Sequence, residues 1–345
     1  MRRYRRITAL LAAILLLVPF CACGKTSETA TASATAAVSG NGNDIAAEAP
    51  EENDLPETNH VSAELPQITD DRGQTLEITA PKRVAALIGS FADIWCLAGG
   101  KDSLAAAAND AWTSFDLNLA EDVINIGSAK DPTAELILAS EPDLVLCSSN
   151  TQADMDLLPT LEAAGIPTLC FDVENFDDYL RMLKICTELT GCPENYETYG
   201  VAVQEVVAEA LNLRDDSAPS VLYLRASSGG VKAKGSSGNL LGEMLAELGC
   251  RNIADSDDSL LENLSMEAIV QADPDYIFVV LQGTDTEALQ RVVEENLLQD
   301  PAWQTLTAVR EGRYYTLENE LYNLKPNARW GEAYEKLAEI LYPYA

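Results

Sequence analysis

The sequence contains one pattern twice, 132 residues apart. The copies are AELILASEPDLVLC at Ala134–Cys147 and MEAIVQADPDYIFVV at Met266–Val280, each with an acidic residue near its start, Glu135 or Glu267. A Pro-Asp pair follows in each copy and ends the predicted helix, because proline lacks a backbone N–H and disfavours helical geometry before it. The apolar run that comes next is typical of a parallel strand covered on both faces. The repeat therefore predicts two similar α/β lobes that enclose a cleft.

The amino end has the pattern of an export signal. A basic start, MRRYRR, precedes an apolar run at residues 7–20, which is shorter than the roughly 20 residues that a membrane span needs. The small residue Ala22 then precedes Cys23, as in the lipobox of bacterial lipoproteins. We predict a signal peptide at residues 1–22 and lipidation of Cys23. Cys21 is the alternative acceptor, and a secreted protein cut elsewhere is the alternative outcome.

Residues 23–64 are rich in Ser, Thr, Ala, Gly, Asn and Glu. Such a segment buries too little apolar surface to offset its ordering entropy, so we predict a disordered tether that spans about 35 Å. The net charge of the chain is −32. A surface so acidic repels nucleic acid, which argues against nucleic acid as a partner.

The remaining residues alternate between strand and helix patterns. Strands that alternate with helices imply mostly parallel sheets, with ligands bound outside the carboxyl ends of the strands. We predict an N-terminal lobe at residues 65–193 and a C-terminal lobe at residues 215–345. Residues 194–214 have the apolar periodicity of one amphipathic helix. This helix either joins the lobes or packs on one of them.

Several motifs that occur in a fixed order along the chain indicate a protein family. They are, in chain order, TDDRG, PKRVAAL, SFADI, the stretch at Asp131–Leu146, LEAAGIP and the tail motifs AWQTL, AVREGRYY and NARWGEAYEKL. This series resembles the class III substrate-binding proteins of bacterial ABC importers. These proteins take up ferric siderophores, haem and cobalamin. The resemblance implies that residues 194–214 form the single helix between two lobes, and that closure on ligand is small. It also implies a monomer that is not an enzyme and has no cofactor of its own.

The resemblance further implies two kinds of site. Acidic residues at the positions of Glu135 and Glu267, one in each lobe, pair in relatives with arginines of a permease dimer that works with an ATPase. Each glutamate also lies in the first turn of a predicted helix, where the helix dipole alone favours a carboxylate. For the ligand, a small-molecule metal chelate, strand ends and loops supply the candidates, namely Ser90, Phe91, Trp112, Asn150, Arg225, Lys234, Gln282, Tyr322 and Arg329. Arg329 is equally compatible with a structural ion pair, and Lys232 and Lys325 are typical of solvated surface.

Other chemistries have little support in the sequence. The single histidine, His60, lies in the predicted tether, so we expect no bare metal site and no Ser-His-Asp centre. Cys147 and Cys170 are expected to be small buried residues, and Cys186 and Cys192 are close enough in sequence to bridge a helix end. Together with the export signal, the resemblance implies a lipid-anchored protein on the outer face of the cell membrane that binds a ferric siderophore and delivers it to the permease. The alternatives are a haem or cobalamin binder and a ligand-sensing lipoprotein without transport.

Overall fold

Two mostly parallel sheets organise the computed structural model, which describes residues 67–343 except residues 79 and 284. Each sheet is flanked by helices and forms one lobe, as the sequence predicts. The predicted signal peptide and the whole predicted tether, with Cys23 and His60, lie outside the described residues.

The N-terminal lobe is built on a five-stranded parallel sheet in the order β5-β4-β3-β8-β9. Its strands are β1 Gln67–Thr69, β2 Thr75–Glu77, β3 Val84–Ala86, β4 Leu104–Ala107, β5 Ile124–Asn125, β6 Gly127–Ser128, β7 Asp131–Pro132, β8 Leu144–Ser148 and β9 Thr168–Phe171. Its helices are α1 Gly89–Trp95, α2 Asp110–Thr113, α3 Ala134–Ala139, α4 Gln152–Ala163 and α5 Phe176–Thr190, with a π-helical turn at Cys96–Gly100 and a 3₁₀ turn at Lys101–Ser103. The buried carboxylate of Asp70 fixes the hairpin β1-β2 to the sheet by accepting the backbone N–H of Cys170 at 3.2 Å.

The C-terminal lobe has a second sheet in the order β11-β10-β13-β14, in which only the β10-β11 hairpin is antiparallel. Its strands are β10 Ser220–Ser227, β11 Gly230–Lys234, β12 Arg251–Asn252, β13 Tyr276–Leu281 and β14 Tyr314–Leu317. The helices from the connection onward are α6 Pro193–Tyr196, α7 Ala202–Leu211, α8 Leu240–Glu247, α9 Asp258–Asn263, α10 Met266–Ala272, α11 Thr286–Val293, α12 Thr307–Arg310, α13 Asn319–Tyr322 and α14 Trp330–Leu341. Single π or 3₁₀ turns lie at Glu197–Val201, Ile253–Ser256, Glu294–Leu298, Trp303–Thr305 and Asn327–Arg329.

The repeat in the sequence has the same backbone conformation in both lobes. The residue before each proline, Glu141 or Asp273, adopts a left-handed conformation, with φ of 47° and 38°. This conformation ends the helix and turns the chain toward the strand. The aspartates that follow the prolines then accept backbone N–H groups of the neighbouring segment, Asp143 from Arg83 at 2.9 Å and Asp275 from Ser220 at 2.8 Å. The prediction of helix, stop and buried strand is confirmed in each lobe.

A continuous helical segment connects the two sheets. It consists of α6, the π turn at Glu197–Val201 and α7, and it buries Val203, Val207 and Ala210 as an apolar stripe. The stripe packs on α14, and the approach is so close that a Cβ at Gly331 would lie 2.8 Å from Val206 Cγ1. The connecting helix therefore packs along most of its apolar face.

Helix α14 contacts both lobes. Its Trp330 ring lies 5.7 Å from the ring of Phe176 in the N-terminal lobe, and the Tyr334 hydroxyl donates a hydrogen bond to Glu247 in the C-terminal lobe. One apolar core accordingly contains buried residues from both lobes. Since closing the cleft would have to shear this core, we expect small lobe motions, in line with the sequence analysis.

Cys147 and Cys170 are fully buried, as predicted, and the structure also joins them in a disulfide. They lie directly opposite each other on the parallel strands β8 and β9. The sequence does not predict this bond, because the two cysteines are 23 positions apart and only the sheet brings them together. Cys186 and Cys192, which the sequence places near a helix end, are not bonded.

Reducing the Cys147–Cys170 disulfide is expected to lower the free energy of unfolding by about 3 kcal/mol, because the bond closes a loop in the unfolded chain. Chemical unfolding of the chain from residue 65 onward, with and without dithiothreitol, measures this change. Cys186→Ala is the matched control, since it removes a fully buried thiol that forms no bond. Thiol counting in denaturant without reductant should find four free cysteines of the six, and finding six would contradict the bond.

Candidate functional site

The carboxyl ends of the two sheets face one another across a cleft. Thr113 and Ser114, which follow β4, line one side of a cavity of about 460 Å³, and Leu281 and Gly283 at the end of β13 line the other. A second cavity of about 260 Å³ adjoins it and shares Ser114. Parallel sheets bind ligands outside the carboxyl ends of their strands, so this cleft is the candidate ligand site.

The wall formed by the N-terminal lobe is acidic. Asn150, which follows β8, donates a side-chain hydrogen bond to Asp172 and a second one to Glu174 Oε1 at 3.1 Å. Burial, together with the charge of Asp178, raises the pKa of Asp172, and burial together with Asp172 raises the pKa of Glu174. Asn150 is a ligand residue predicted from the sequence, whereas neither Asp172 nor Glu174 was predicted, although both follow β9 as Asn150 follows β8.

Lys325 reaches this acidic wall from the C-terminal lobe. Its Nζ lies 5.9 Å from the centroid of the Phe91 ring, and burial lowers the pKa of its ammonium group although the carboxylates of Asp172, Glu174 and Asp178 oppose that shift. The interpretation of Lys325 as solvated surface is therefore wrong. Lys325 is partly buried and lines the smaller cavity. This position was not visible in the sequence, because Lys325 lies in a turn between two short helices and only the tertiary fold brings it to the cavity.

The C-terminal lobe carries three cations on one face of the β10-β11 hairpin, near the carboxyl end of β10. None of them lines either of the two cavities, and Lys232 is exposed, as predicted. Arg225 on β10 lies directly opposite Lys232 on β11, and Lys234 lies opposite Tyr223, so all three cations project from the same face of the hairpin. Arg225 also pairs with Val280 of β13, one residue before the cleft-lining Leu281. We call Arg225, Lys232 and Lys234 the cationic trio.

The cationic trio lacks carboxylate partners among residues 67–343, apart from the undescribed positions 79 and 284. Arg225 instead donates to the Tyr223 hydroxyl at 3.0 Å. Burial and the charges of Arg225 and Lys232 lower the pKa of Lys234. Like charges directly opposite on paired strands destabilise a sheet, so an anion bound here would relieve a repulsion already present.

Three further predicted ligand residues lie near the cleft. Trp112 is partly buried in α2, next to the cavity residue Thr113, and Gln282 follows β13 and is also partly buried. Arg329 lines the smaller cavity but pairs with Glu332 at 2.7 Å and with Glu318 at 3.6 Å. Arg329 therefore forms the structural ion pair that the sequence offered as the alternative to ligand contact.

Ser90, Phe91 and Tyr322 are covered by the protein. Phe91 is fully buried against Phe171, and the Tyr322 hydroxyl donates to the backbone oxygen of Ala333 at 3.0 Å. The backbone oxygen of Ser90 accepts a hydrogen bond at 2.9 Å from Asn327, which links the lobes. Ligand contact by these three side chains stays a prediction, and it would require the cleft walls to move.

The sequence profile of the family described as "Periplasmic binding protein" matches residues 84–321, which is more than half of the chain. The chain belongs to this family. Its members are solute-binding proteins of ABC importers, not enzymes, and they act outside the cytoplasm. A search of curated proteins found no match.

Solved structures of the family share the fold of this periplasmic binding protein. The haem-binding RhuT from Roseiflexus sp. RS-1 has 23% identity and a TM-score of 0.62, over 76% of this chain and 98% of that one. Staphylococcus aureus SirA complexed with staphyloferrin B has 22% identity and a TM-score of 0.62, over 81% and 97%. The siderophore-binding protein BauB, bound to acinetobactin and ferric iron, has 17% identity and a TM-score of 0.64, over 79% and 98%.

The glutamates predicted to dock on a permease occupy equivalent positions of this periplasmic binding protein. Glu135 is the second residue of α3 and Glu267 the second residue of α10, and both are exposed. Within the described residues neither forms an ion pair. Both carboxylates are therefore available to a partner. Permease docking stays a prediction.

The described residues contain neither a cluster of metal-ligating side chains nor a helix able to cross a membrane. No group of three or more His, Cys, Asp or Glu side chains in residues 67–343, apart from 79 and 284, is arranged to hold a metal ion. Over the same residues, no helix combines the length and apolar character that crossing a membrane requires.

Proposed function

We propose that this chain is the lipid-anchored solute-binding protein of an ABC importer, and that it captures a ferric siderophore between its lobes. Cys23 supplies the anchor on the outer face of the cell membrane. Glu135 and Glu267 bind the permease dimer, which works with its ATPase, and the carrier acts as a monomer.

The observation that carries the choice of ligand is the cationic trio. Siderophores bind iron through anionic oxygens, and an arginine recognises such oxygens with a planar set of donors. In a chain with a net charge of −32, three neighbouring cations without a carboxylate partner among the described residues favour an anionic ligand. The chelate would place its anionic side on Arg225 and Lys234, its polar remainder on Asn150 and Gln282, and its apolar or ring surface on Trp112.

Haem or cobalamin is the alternative ligand within the same family. Iron in haem commonly takes a histidine or tyrosine ligand from the protein. Tyr322, itself a predicted ligand residue, and Tyr223, which bonds to Arg225, are both buried with their hydroxyls in hydrogen bonds. This arrangement favours a siderophore over haem as the ligand. The alternative to delivery of the ligand to a permease is a ligand sensor without transport.

The test is a titration of tryptophan fluorescence on the chain from residue 65 onward, with ferric siderophores, haem and cobalamin. We expect saturable quenching at submicromolar concentration by one ferric siderophore. Trp95, Trp303 and Trp330 are at most 1% exposed, so Trp112 should report the ligand. Trp112→Phe is the control and should remove most of the quenching.

Saturation by haem or cobalamin alone would replace the siderophore with that ligand. Silence across the whole panel, confirmed by calorimetry, would contradict the proposal that this chain carries a metal chelate. Binding without uptake in cells would favour the sensor.

A further inference from the structure

Among the described residues, the large aliphatic side chains that are more than a third exposed lie in two regions. The large hydrophobic residues with high exposure are Leu136 at 39%, Leu138 at 37%, Leu261 at 40% and Val270 at 37%. Leu136 and Leu138 belong to α3, the helix of Glu135. Val270 belongs to α10, the helix of Glu267, and Leu261 to α9, which packs on α10.

The repeat places two of these residues at equivalent positions. Leu138 follows Glu135 by three residues, and Val270 follows Glu267 by three residues. Side chains three apart on a helix lie on the same face. Between them, Ile137 and Ile269 are both fully buried and attach their helices to the lobes. Each lobe therefore presents one exposed carboxylate beside one exposed aliphatic side chain.

We propose that Leu138 and Val270, with Leu136 and Leu261 beside them, form the apolar part of a two-point docking surface for the permease dimer. The proposal rests on the proposed function, because it names how the same partner is held. A carboxylate beside an aliphatic group, presented once by each lobe, fits a partner that offers a cation beside an apolar surface twice. A dimer of two like subunits offers such a pair of surfaces.

The glutamates and the aliphatic side chains of the docking surface contribute differently to binding. The glutamates supply direction and attract the cations of the partner, and the aliphatic side chains supply area that leaves water on contact. In a chain this acidic, exposed aliphatic groups concentrated on the two equivalent helices are a feature that solubility alone does not explain.

The test uses the full-length chain in cells that lack the native gene, with uptake of the iron-55-labelled siderophores of the titration panel as the readout. Leu138→Ala combined with Val270→Ala is expected to lower the initial uptake rate about tenfold, since two interface contacts are truncated. Leu138→Met with Val270→Ile keeps the apolar surface and should restore most of the rate. Glu162→Ala with Glu295→Ala, at exposed positions elsewhere, is the matched control and should match the wild type.

Thermal unfolding and the fluorescence titration of each variant separate docking from folding and ligand capture. A wild-type uptake rate in Leu138→Ala/Val270→Ala, while Glu135→Lys/Glu267→Lys takes up nothing, would overturn the apolar surface but leave the proposed function standing. Absence of uptake by the wild type for every siderophore would overturn both. Flotation with vesicles of 3:1 phosphatidylcholine and phosphatidylglycerol tests whether the surface binds lipid instead of the permease. Vesicle binding by the chain from residue 65 onward that Leu138→Ala/Val270→Ala removes would assign the surface to lipid and overturn the permease.

Discussion

Arg225→Glu is expected to weaken binding of the ferric siderophore by about thirtyfold or more. Removing one partner of a buried ion pair costs about 2–5 kcal/mol, and 2 kcal/mol is about thirtyfold in affinity. Arg225 is partly buried, lies directly opposite Lys232 and is adjacent in the sheet to the cleft-lining end of β13. The reversed charge would also attract Lys232 and Lys234 and withdraw them from the ligand.

The matched control for this prediction is Arg251→Glu. Arg251 is exposed and lies on β12, which pairs with the start of β10, so it is at the end of the same sheet that faces away from the cleft. Fluorescence titration of both variants at two salt concentrations measures the affinities, and Arg251→Glu should bind as the wild type does. Equal affinities of wild type and Arg225→Glu would remove the cationic trio from the ligand site.

The elements that the sequence predicted well are those that local chemistry decides. The Pro-Asp pairs end α3 and α10 and start β8 and β13 through the left-handed residue before each proline and the aspartate after it. These interactions involve neighbours in sequence or one adjacent segment, so the pattern of residue types is enough to predict them.

The parts of the cleft that the sequence did not predict depend on contacts between distant segments. Lys325 is brought to Asp172 and Glu174 by the chain returning from the second lobe to the first. Phe91 follows a strand end and is typical of a ligand residue, yet Phe171 of β9 covers it. The Cys147–Cys170 bond likewise follows from the register of β8 and β9. Strand-end position alone therefore predicts which residues lie near the cleft, but not which of them are exposed to it.

The rigid connection between the lobes affects how a permease can bind this protein. Helix α14 and the Asn327 side chain tie the lobes together, the latter by donating to Asp93 Oδ2 at 2.8 Å in the first lobe. Glu135 and Glu267 are attached to different lobes, so their separation is held nearly constant by this shared core. A rigid spacing lets a dimer bind both glutamates at once. After the first glutamate has bound, binding of the second is intramolecular and therefore raises the overall affinity.

Reversing both charges, in Glu135→Lys with Glu267→Lys, is therefore expected to abolish uptake of the ferric siderophore and to leave its affinity unchanged. Each glutamate would pair with an arginine of the permease, and a lysine in its place would repel that cation at both points. No residue of α3 or α10 lines either of the two cavities, and neither helix carries a predicted ligand residue, so ligand capture should not change.

Iron-55 uptake by cells and fluorescence titration of the purified chain measure these two results separately. Glu162→Lys with Glu295→Lys makes the same change of charge at exposed positions on α4 and after α11, and we expect it to transport normally. The comparison decides between local pairing and general electrostatics, because both double variants alter the net charge equally. Persistent uptake in the Glu135→Lys/Glu267→Lys variant would falsify the docking assignment, and the two glutamates would then be carboxylates placed in the first turns of their helices by the helix dipole alone.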